Sequence, residues 1–338
     1  MPAATGARPP VMADVAKLAG VSAQTVSRVL NDRPNVSDRA RDAVLAAIAQ
    51  LGYRPNAAAR TLVTRRTRTL GVISFDTTLY GPASMLHGIE RAAAGHYFVS
   101  IVSLPALDRP SVIGAVERLL EQGVDGIIVI APMKPVVDAC GAIDHGVPLV
   151  AVGCGTNAPL ASVAVDNTAG AALATRFLLG HGHATVHHVA GPRTWLDAQE
   201  RIAGWRAALR DAAAPVPELV VGDWSSAAGY RIGQAIAADP QVTAVLCGND
   251  HMALGLLRAL TEQGRRIPAD ISVVGFDDIP ESGYFLPPLT TVRQDFGALG
   301  RHALGVLVAL IDGQPAPEVC LRIPPQLVDR ASAGPPPR

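Results

Sequence analysis

Apolar residues near the start of the chain recur at helical spacing. Val15, Ala16, Leu18 and Ala19 give the segment Val11–Gly20 one apolar face, and Gly20 closes it, because glycine enters the left-handed conformation without penalty. Ser22 is placed to cap a second helix, Ala23–Leu30, with Val21 as a buried turn residue between the two. In that helix Val26, Val29 and Leu30 share one side, while Gln24 and Arg28, four residues apart, share the other. A third helix is predicted from the cap Ser37 to Leu51, with Val44, Leu45, Ile48 and Leu51 as its core stripe. Gly52 ends it and Pro55 prevents continuation. Three short helices imply a small all-α domain over residues 11–55.

From Thr69 the pattern changes to short apolar runs alternating with amphipathic helices such as Ser111–Gln122. The runs at residues 70–73, 98–102, 126–130 and 149–152 read as buried strands, and a second series follows at 186–189, 219–221, 244–247 and 272–276. Alternating β and α units predict parallel sheets flanked by helices, and two series predict a two-lobed α/β body over residues 69–330. Ligands of such sheets sit beyond the carboxyl ends of the strands, so a cleft between the lobes is expected. Polar residues gather there. Asn249 and Asp250 follow one strand, Asp277 and Asp278 another and Trp224 a third, and Arg201 lies on an intervening helix. Carboxylates, an amide and a guanidinium can hold several hydroxyls while an indole covers the apolar face of a pyranose, which suits a sugar. Taken singly, Asp250 also fits a helix N-cap and Asp278 a turn former.

Charge sharpens the division. The chain has 338 residues and a formal net charge of zero. Between Arg28 and Arg68, however, nine arginines meet only Asp32, Asp38 and Asp42, so the remainder is net acidic. A basic module on an acidic body is the reading. No apolar run is long enough for a membrane span, and residues 1–10 carry no apolar leader core and are expected to be disordered, so a cytoplasmic protein is expected. Cys140, Cys154, Cys247 and Cys320 are widely spaced and are expected to be reduced, mostly buried thiols. His181, His183, His187 and His188 cluster, but His187 and His188 alternate along a strand, so no metal site is expected. Neither a cofactor nor an enzyme is expected: Gly153-Cys-Gly155 lacks the third glycine of a dinucleotide loop, and no nucleophile elbow, phosphate loop or zinc-protease motif occurs.

Helix, short turn with glycine, helix is the helix-turn-helix plan. Arg28 can donate two hydrogen bonds to guanine and Gln24 can pair with adenine, while Ser22, Thr25, Ser27 and Asn31 suit phosphates. The same pattern fits an ordinary amphipathic helix pair with a solvated polar face. Beyond Pro55, the segment Asn56–Leu62 has a cap residue and three alanines but is too short to be a stable helix alone. It is either a plain linker or one that folds only when held by DNA and a partner chain.

The run Asp14-Val-Ala-x-x-Ala-Gly-Val-Ser-x-x-Thr-Val-Ser-Arg-Val-Leu-Asn31, with Val36-Ser37 and Leu51-Gly-Tyr-x-Pro-Asn56, resembles the DNA-binding head of the LacI/GalR repressors. The resemblance extends over nearly all of the body. It is strongest in Asp270-Ile-Ser-Val-Val-Gly-Phe-Asp-Asp278 and Pro287-Pro-Leu-Thr-Thr-Val-Arg-Gln-Asp-Phe296. It implies a helix-turn-helix head and a type I periplasmic-binding-protein-like body. By position, Ser22, Ala23, Gln24, Thr25, Ser27, Arg28, Asn31 and Asn56 inherit DNA contact. Residues 56–68 inherit a hinge helix and linker, and Leu62 the leucine wedged into the minor groove. Ligand contact falls to Leu79, Pro82, Asp197, Arg201, Trp224, Asn249, Asp277, Gln294 and Phe296. Three positions depart from a well-known member: Ala23 replaces a tyrosine, Gly153 an aspartate and Ile130 an asparagine, the last two making the first-lobe wall less polar.

The function implied is a transcriptional repressor of double-stranded operator DNA, released by a mono- or disaccharide inducer. The alternative is a regulator activated by a purine or sugar-phosphate corepressor. A solute-binding protein of the same fold would be expected to lack the head. Residues 331–338, rich in Pro and Gly without heptads, are expected to be a disordered tail, and the protein a homodimer.

Overall fold

A computed structural model describes residues 8, 10–30, 34–53, 66–142, 146–154, 160–315 and 320–337. The chain divides into two compact units, residues 1–67 and 68–338.

In the first unit, α1 (Met12–Ala19), α2 (Ala23–Leu30) and α3 (Asp38–Leu51) pack around Val15, Ala16, Val26, Val29, Val44, Ala47 and Tyr53. The boundaries follow from local chemistry. Gly20 ends α1 at φ 66°, the Ser22 hydroxyl accepts from the Thr25 N–H at 3.1 Å, and the Ser37 hydroxyl accepts from the Ala40 N–H. Three expected core positions are corrected. Leu18 and Leu45 are 45% and 52% exposed, and Val21 is only partly buried. Val44 and Ala47, three residues apart, define the inward line of α3, and Leu45 stands about 100° round the helix from Val44. Tyr53, beyond the helix end, fills the space instead.

The second unit holds two six-stranded sheets. The first contains β1 (Thr69–Ser74), β2 (Phe98–Ser103), β3 (Gly126–Ile130), β4 (Leu149–Val152), β5 (Ser162–Val165) and β11 (Leu321–Ile323), in the order β11-β5-β4-β3-β1-β2. The second contains β6 (His187–Ala190), β7 (Val220–Val221), β8 (Ala244–Cys247), β9 (Ser272–Asp277), β10 (Thr290–Arg293) and β12 (Gln326–Val328), in the order β12-β10-β9-β8-β6-β7. All neighbours are parallel except β10 and β12. Both faces of each sheet are buried. Ile127 and Val129 face one core while Ile128 and Ile130 face the other, the alternation a strand imposes.

The helices of this unit are α4 (Tyr80–Ala93), α5 (Arg109–Glu121), α6 (Lys134–Gly141), α7 (Asn167–Gly180), α8 (Leu196–Asp211), α9 (Ser226–Ala237), α10 (Asp250–Glu262) and α11 (Phe296–Ile311). The two strand series are not simply consecutive. The chain passes to the second lobe after β5, returns after β10 to lay α11 and β11 on the first, and crosses again to β12. On its return α11 meets α4 so closely that a Cβ at Gly88 would lie 2.2 Å from the Phe296 carbonyl oxygen. That approach explains glycine there.

The expectation of a disordered tail from Ala331 is corrected. The Ser332 hydroxyl is fully buried, donates to the Val273 carbonyl at 2.6 Å and accepts from the Thr290 N–H at 2.8 Å. The Gly334 carbonyl accepts from the Ser272 hydroxyl at 3.0 Å and lies 2.9 Å from His183 Nε2. Composition rich in proline and glycine gives no periodic apolar pattern, but polar groups of the tail close off the starts of β9 and β10. Ser332→Ala strands a buried carbonyl and a buried N–H, and is expected to cost about 1–3 kcal/mol. Urea unfolding midpoints of the two proteins measure it, and coincident curves would show that the tail contributes nothing.

Candidate functional site

Two surfaces collect the predicted functional residues, one in each unit. On the head, Val26 and Val29 turn inward and leave Gln24 and Arg28 exposed on the far side of α2, with Ser22 and Ala23 exposed at its start. The Ser22 and Thr25 hydroxyls lie 2.9 Å apart. The Arg28 guanidinium and Gln24 amide therefore project from a helix whose N-terminal turn carries short hydroxyls, the arrangement that enters a major groove. Asn31, Asn56 and Leu62 lie outside the described residues, as do residues 56–65 of the expected hinge.

In the body, a cleft opens at the carboxyl ends of both sheets. Its second-lobe wall is built from Asp197, Arg201, Trp224, Asn249, Asp277 and Gln294, and its first-lobe wall from Leu79, Gly81, Pro82, Met85, Ile130 and Pro132. The structure thus brings eight of the nine expected ligand residues into one cavity. The ninth, Phe296, is not among the residues that line this cavity. It opens α11 and packs into the first-lobe core, edge-on to Tyr80 at 6.0 Å between ring centres, because α11 must close onto α4. Gly153 is also absent from the lining, and the side chain of Met85 lies against it.

Arg201 organises the polar wall. Its Nε donates to Asn167 Oδ1 at 2.8 Å, Nη1 to the Gly248 carbonyl, and Nη2 lies 3.7 Å from Asp277 Oδ1. The guanidinium lies over the Phe276 ring, 3.9 Å from its centre, which a planar cation tolerates well. Asn167 passes the constraint on by donating to Asp197 Oδ1 at 3.0 Å. Gln294 Nε2 donates to Asp277 Oδ1 at 2.6 Å.

Burial raises the carboxyls of this wall. Desolvation pushes Asp277 up to about 6 against the pull of Arg201, and Asp197 up to about 7. Desolvation, then the charge of Asp277, pushes Asp250 up to about 8. Asp250 is not the N-cap of α10. Asn249 is, accepting from the Met252 N–H at 2.9 Å, while Asp250 accepts from the Ile279 N–H and the Thr291 hydroxyl. Asp278 is likewise more than a turn former, since Arg293 and Arg330 each reach it at 2.6 Å.

Backbone strain concentrates at the same strand ends. Trp224, Asp277 and Asp278 hold φ of 74°, 114° and 55°. Such conformations cost of order 1–3 kcal/mol each and persist where surroundings over-determine them. For Trp224 one restraint is Asn249 Nδ2, which donates to its carbonyl at 3.0 Å. Gly191 is required beneath the indole, where a Cβ would lie 2.0 Å from the ring. Trp195, which the sequence reading passed over, meets Trp224 edge-on at 5.6 Å and completes an aromatic flank with Phe75. It lies just beyond the end of β6, so the strand-end rule that selected Trp224 would have found it. Among the described residues, Trp224 Nε1 and Gln294 Oε1 are buried polar atoms of the lining without a partner.

The histidine cluster does not converge. His183 binds Thr243 and the tail, and His188 lies behind the second sheet with Nδ1 on the Leu246 carbonyl.

Comparison with known proteins identifies both parts of the chain. Residues 11–56 match the family model described as bacterial regulatory proteins, lacI family, and residues 175–333 match a periplasmic binding protein-like domain. The lactose operon repressor of Escherichia coli K12 is 36% identical over 313 residues, covering 91% of this chain and 86% of that protein. The chain belongs to the LacI family of bacterial regulatory proteins. The transcriptional repressor PurR of Escherichia coli O139:H28 is 32% identical over 94% of this chain and 95% of its own. A crystal structure of the lac repressor dimer bound to operator and the anti-inducer ONPF superposes with a TM-score of 0.85 at 34% identity, covering 97% of this chain and all of that one. The transcriptional regulator CelR in complex with cellobiose gives 0.70 at 30% identity, over 96% and 99%. This LacI-family chain is a DNA-binding transcriptional repressor, and its relatives are repressors rather than enzymes. Among the described residues no helix is long and apolar enough to cross a membrane.

The raised carboxyl of Asp197 sets a pH dependence. Its folded pKa, about 7, lies above the ordinary 3.8, so the folded state holds the proton longer than the unfolded state does. Stability is therefore lost as pH rises from about 4 to about 7. Asp197→Asn keeps an oxygen for Asn167 and removes the charge. Its thermal midpoint relative to the parent is expected to climb between pH 5 and about pH 8, and a constant difference would show that Asp197 ionises freely in the fold.

Proposed function

We propose that this repressor is a homodimer that reads a near-palindromic operator through α2 and is released when a mono- or disaccharide occupies the cleft. The observation that carries the ligand reading is the pairing of a buried, partnerless donor, Trp224 Nε1, with a buried, partnerless acceptor, Gln294 Oε1, beside the Asp277 carboxyl. A sugar hydroxyl both donates and accepts, so neighbouring hydroxyls on one ring satisfy all three groups, while the indoles of Trp195 and Trp224 cover its C–H face. Arg201 is already committed to protein acceptors, so it orients Asp277 rather than waiting for an anionic ligand. This favours a neutral carbohydrate over a sugar phosphate. With Met85 and Ile130 on the opposite wall, the ligand meets hydroxyl-binding groups on one side only.

The dimer reading is supported by large apolar side chains left in water on the body. Tyr284 and Leu286 are 90% and 89% exposed and Phe98 is 74% exposed. The related lac repressor assembles as a dimer on its operator, and a second copy of this chain is the occupant the exposed residues fit.

Thermal unfolding against mono- and disaccharides, sugar phosphates and purines tests the ligand class. A compound at a hundred times its Kd adds about 2.7 kcal/mol. Stabilisation by neutral sugars, lost in Asp277→Asn through a penalty of about 1.5–3 kcal/mol, is the expected result. Stabilisation by purines alone, with tighter operator binding, would establish the corepressor reading instead. On the head, Arg28→Ala is expected to cost about 1–3 kcal/mol of discrimination at one base pair per half-site. Binding to operator variants by fluorescence anisotropy measures this, and an unchanged preference would remove Arg28 from base reading.

A further inference from the structure

Two of the four cysteines meet. Strand β5 runs between β4 and β11: Ala151 of β4 pairs with Ser162, and Leu321 of β11 pairs with Val163. Cys320, immediately before β11, therefore stands beside Ser162. Cys154 lies just past β4, where Gly153 at φ 72° turns the chain out of its strand. The Cys154 thiol is in hydrogen-bond contact with the Cys320 sulfur and with the Ser162 hydroxyl. Cys154 is buried and Cys320 is partly open to solvent. They stand 166 positions apart in sequence, and neither belongs to the cleft lining or the head.

The two sulfurs differ in character. The hydrogen bond from Cys154 holds the Cys320 thiol below its ordinary range, aided by Ser162 and the Arg322 charge against the effect of burial. The hydrogen bond to Cys320, then burial, holds Cys154 above it. An accessible sulfur in contact with a buried one is the arrangement of an attacking and a resolving thiol.

The position gives the pair mechanical leverage. β11 is the short edge strand laid on the first sheet during the chain's return from the second lobe. Arg322, at its centre, binds Glu200 at 2.8 Å and lies 3.6 Å from Asp166. Glu200 belongs to α8, the helix that carries Asp197 and Arg201 into the cleft. What fixes β11 against β4 and β5 thus acts on a strand tied to the polar wall.

We infer that Cys154 and Cys320 form a hydroperoxide-sensitive pair whose closure to a disulfide fixes β11 between the lobes. The Cys320 thiolate attacks one peroxide oxygen, the O–O bond breaks, and the leaving hydroxide takes up the proton Cys320 shed, giving a sulfenic acid and water. The Cys154 sulfur then attacks the sulfenic sulfur. The S–S bond forms, the S–O bond breaks, and the departing hydroxyl takes the Cys154 proton as a second water. Two thiols are oxidised and one peroxide is reduced to two waters. Closure needs the two sulfurs to move into bonding distance, and a three-residue edge strand is a short element to shift.

The full chain treated with hydrogen peroxide tests this. The expected result is an intact mass lower by two hydrogen atoms, a protease fragment joining the Cys154 and Cys320 peptides, and reversal by dithiothreitol. Cys320→Ser and Cys154→Ala should each give no such loss. Amide exchange at residues 321–323 and along α8 should slow in the oxidised parent and stay unchanged in Cys320→Ser. A parent that yields no linked peptide, or that links through Cys140, Cys247 or a second chain, would overturn the pair. A linked peptide with unaltered exchange would overturn its action on β11.

Discussion

The body is arranged around one buried cation. Removing a guanidinium from water costs several kcal/mol, and only good geometry with satisfied donors repays it. Arg201 meets that demand by collecting Asn167, the Gly248 carbonyl and Asp277, with Phe276 beneath it. Each partner sits on a different segment: Asn167 opens α7, Gly248 follows β8 and Asp277 ends β9. A single side chain therefore fixes how three parts of the second lobe end, and those ends form the polar wall of the cleft. The strained backbone of Asp277 lies at one of these ends, and burial there raises its carboxyl against the pull of Arg201. The wall is held in a geometry its backbone would not choose and at a charge its burial resists.

The threading of the chain adds a second constraint. Each lobe borrows an element from the far end of the sequence: α11 and β11 complete the first, and β12 and residues 331–337 complete the second. Neither lobe is a continuous stretch of chain, so the connections after β5, β10 and β11 are all spans between lobes. Motion of one lobe against the other must be absorbed in those spans. The contacts that cross there, above all Arg322 with Glu200, are therefore where lobe position is set.

Much of this was legible in the sequence because it depends on local chemistry. Helix caps at Ser22 and Ser37, the glycine stops at Gly20 and Gly52 and the long apolar strands are decided within a few residues, and the structure has them where the pattern placed them. Polar groups at strand ends followed from the geometry of parallel sheets. The misses share a cause, since each turns on partners remote in sequence. Leu45 looked like core until Tyr53 took its place. Phe296, assigned to the cleft by position, packs with Met85 and Ile130 in the first-lobe core, where the approach of α11 to Gly88 holds it. The tail looked disordered by composition, although Ser332 and Gly334 bond to the starts of β9 and β10, partners that no local pattern reveals.

The two walls of the cleft divide the labour of recognition. A wall of directed donors and acceptors discriminates strongly, because a ligand lacking the matching hydroxyl leaves buried groups unpaired. An apolar wall discriminates weakly, at about 1–3 kcal/mol per methylene. Here the second lobe is the directed wall and the first is built from Leu79, Pro82, Met85, Ile130 and Pro132. On the proposed function, identity of the ligand is read by the lobe that Arg201 organises, whereas the first lobe responds to how much apolar surface is presented. On that proposal, a ligand held by polar contacts on one side and by burial on the other gains most where the lobes stand close enough for both, which links its shape to the spacing of the lobes.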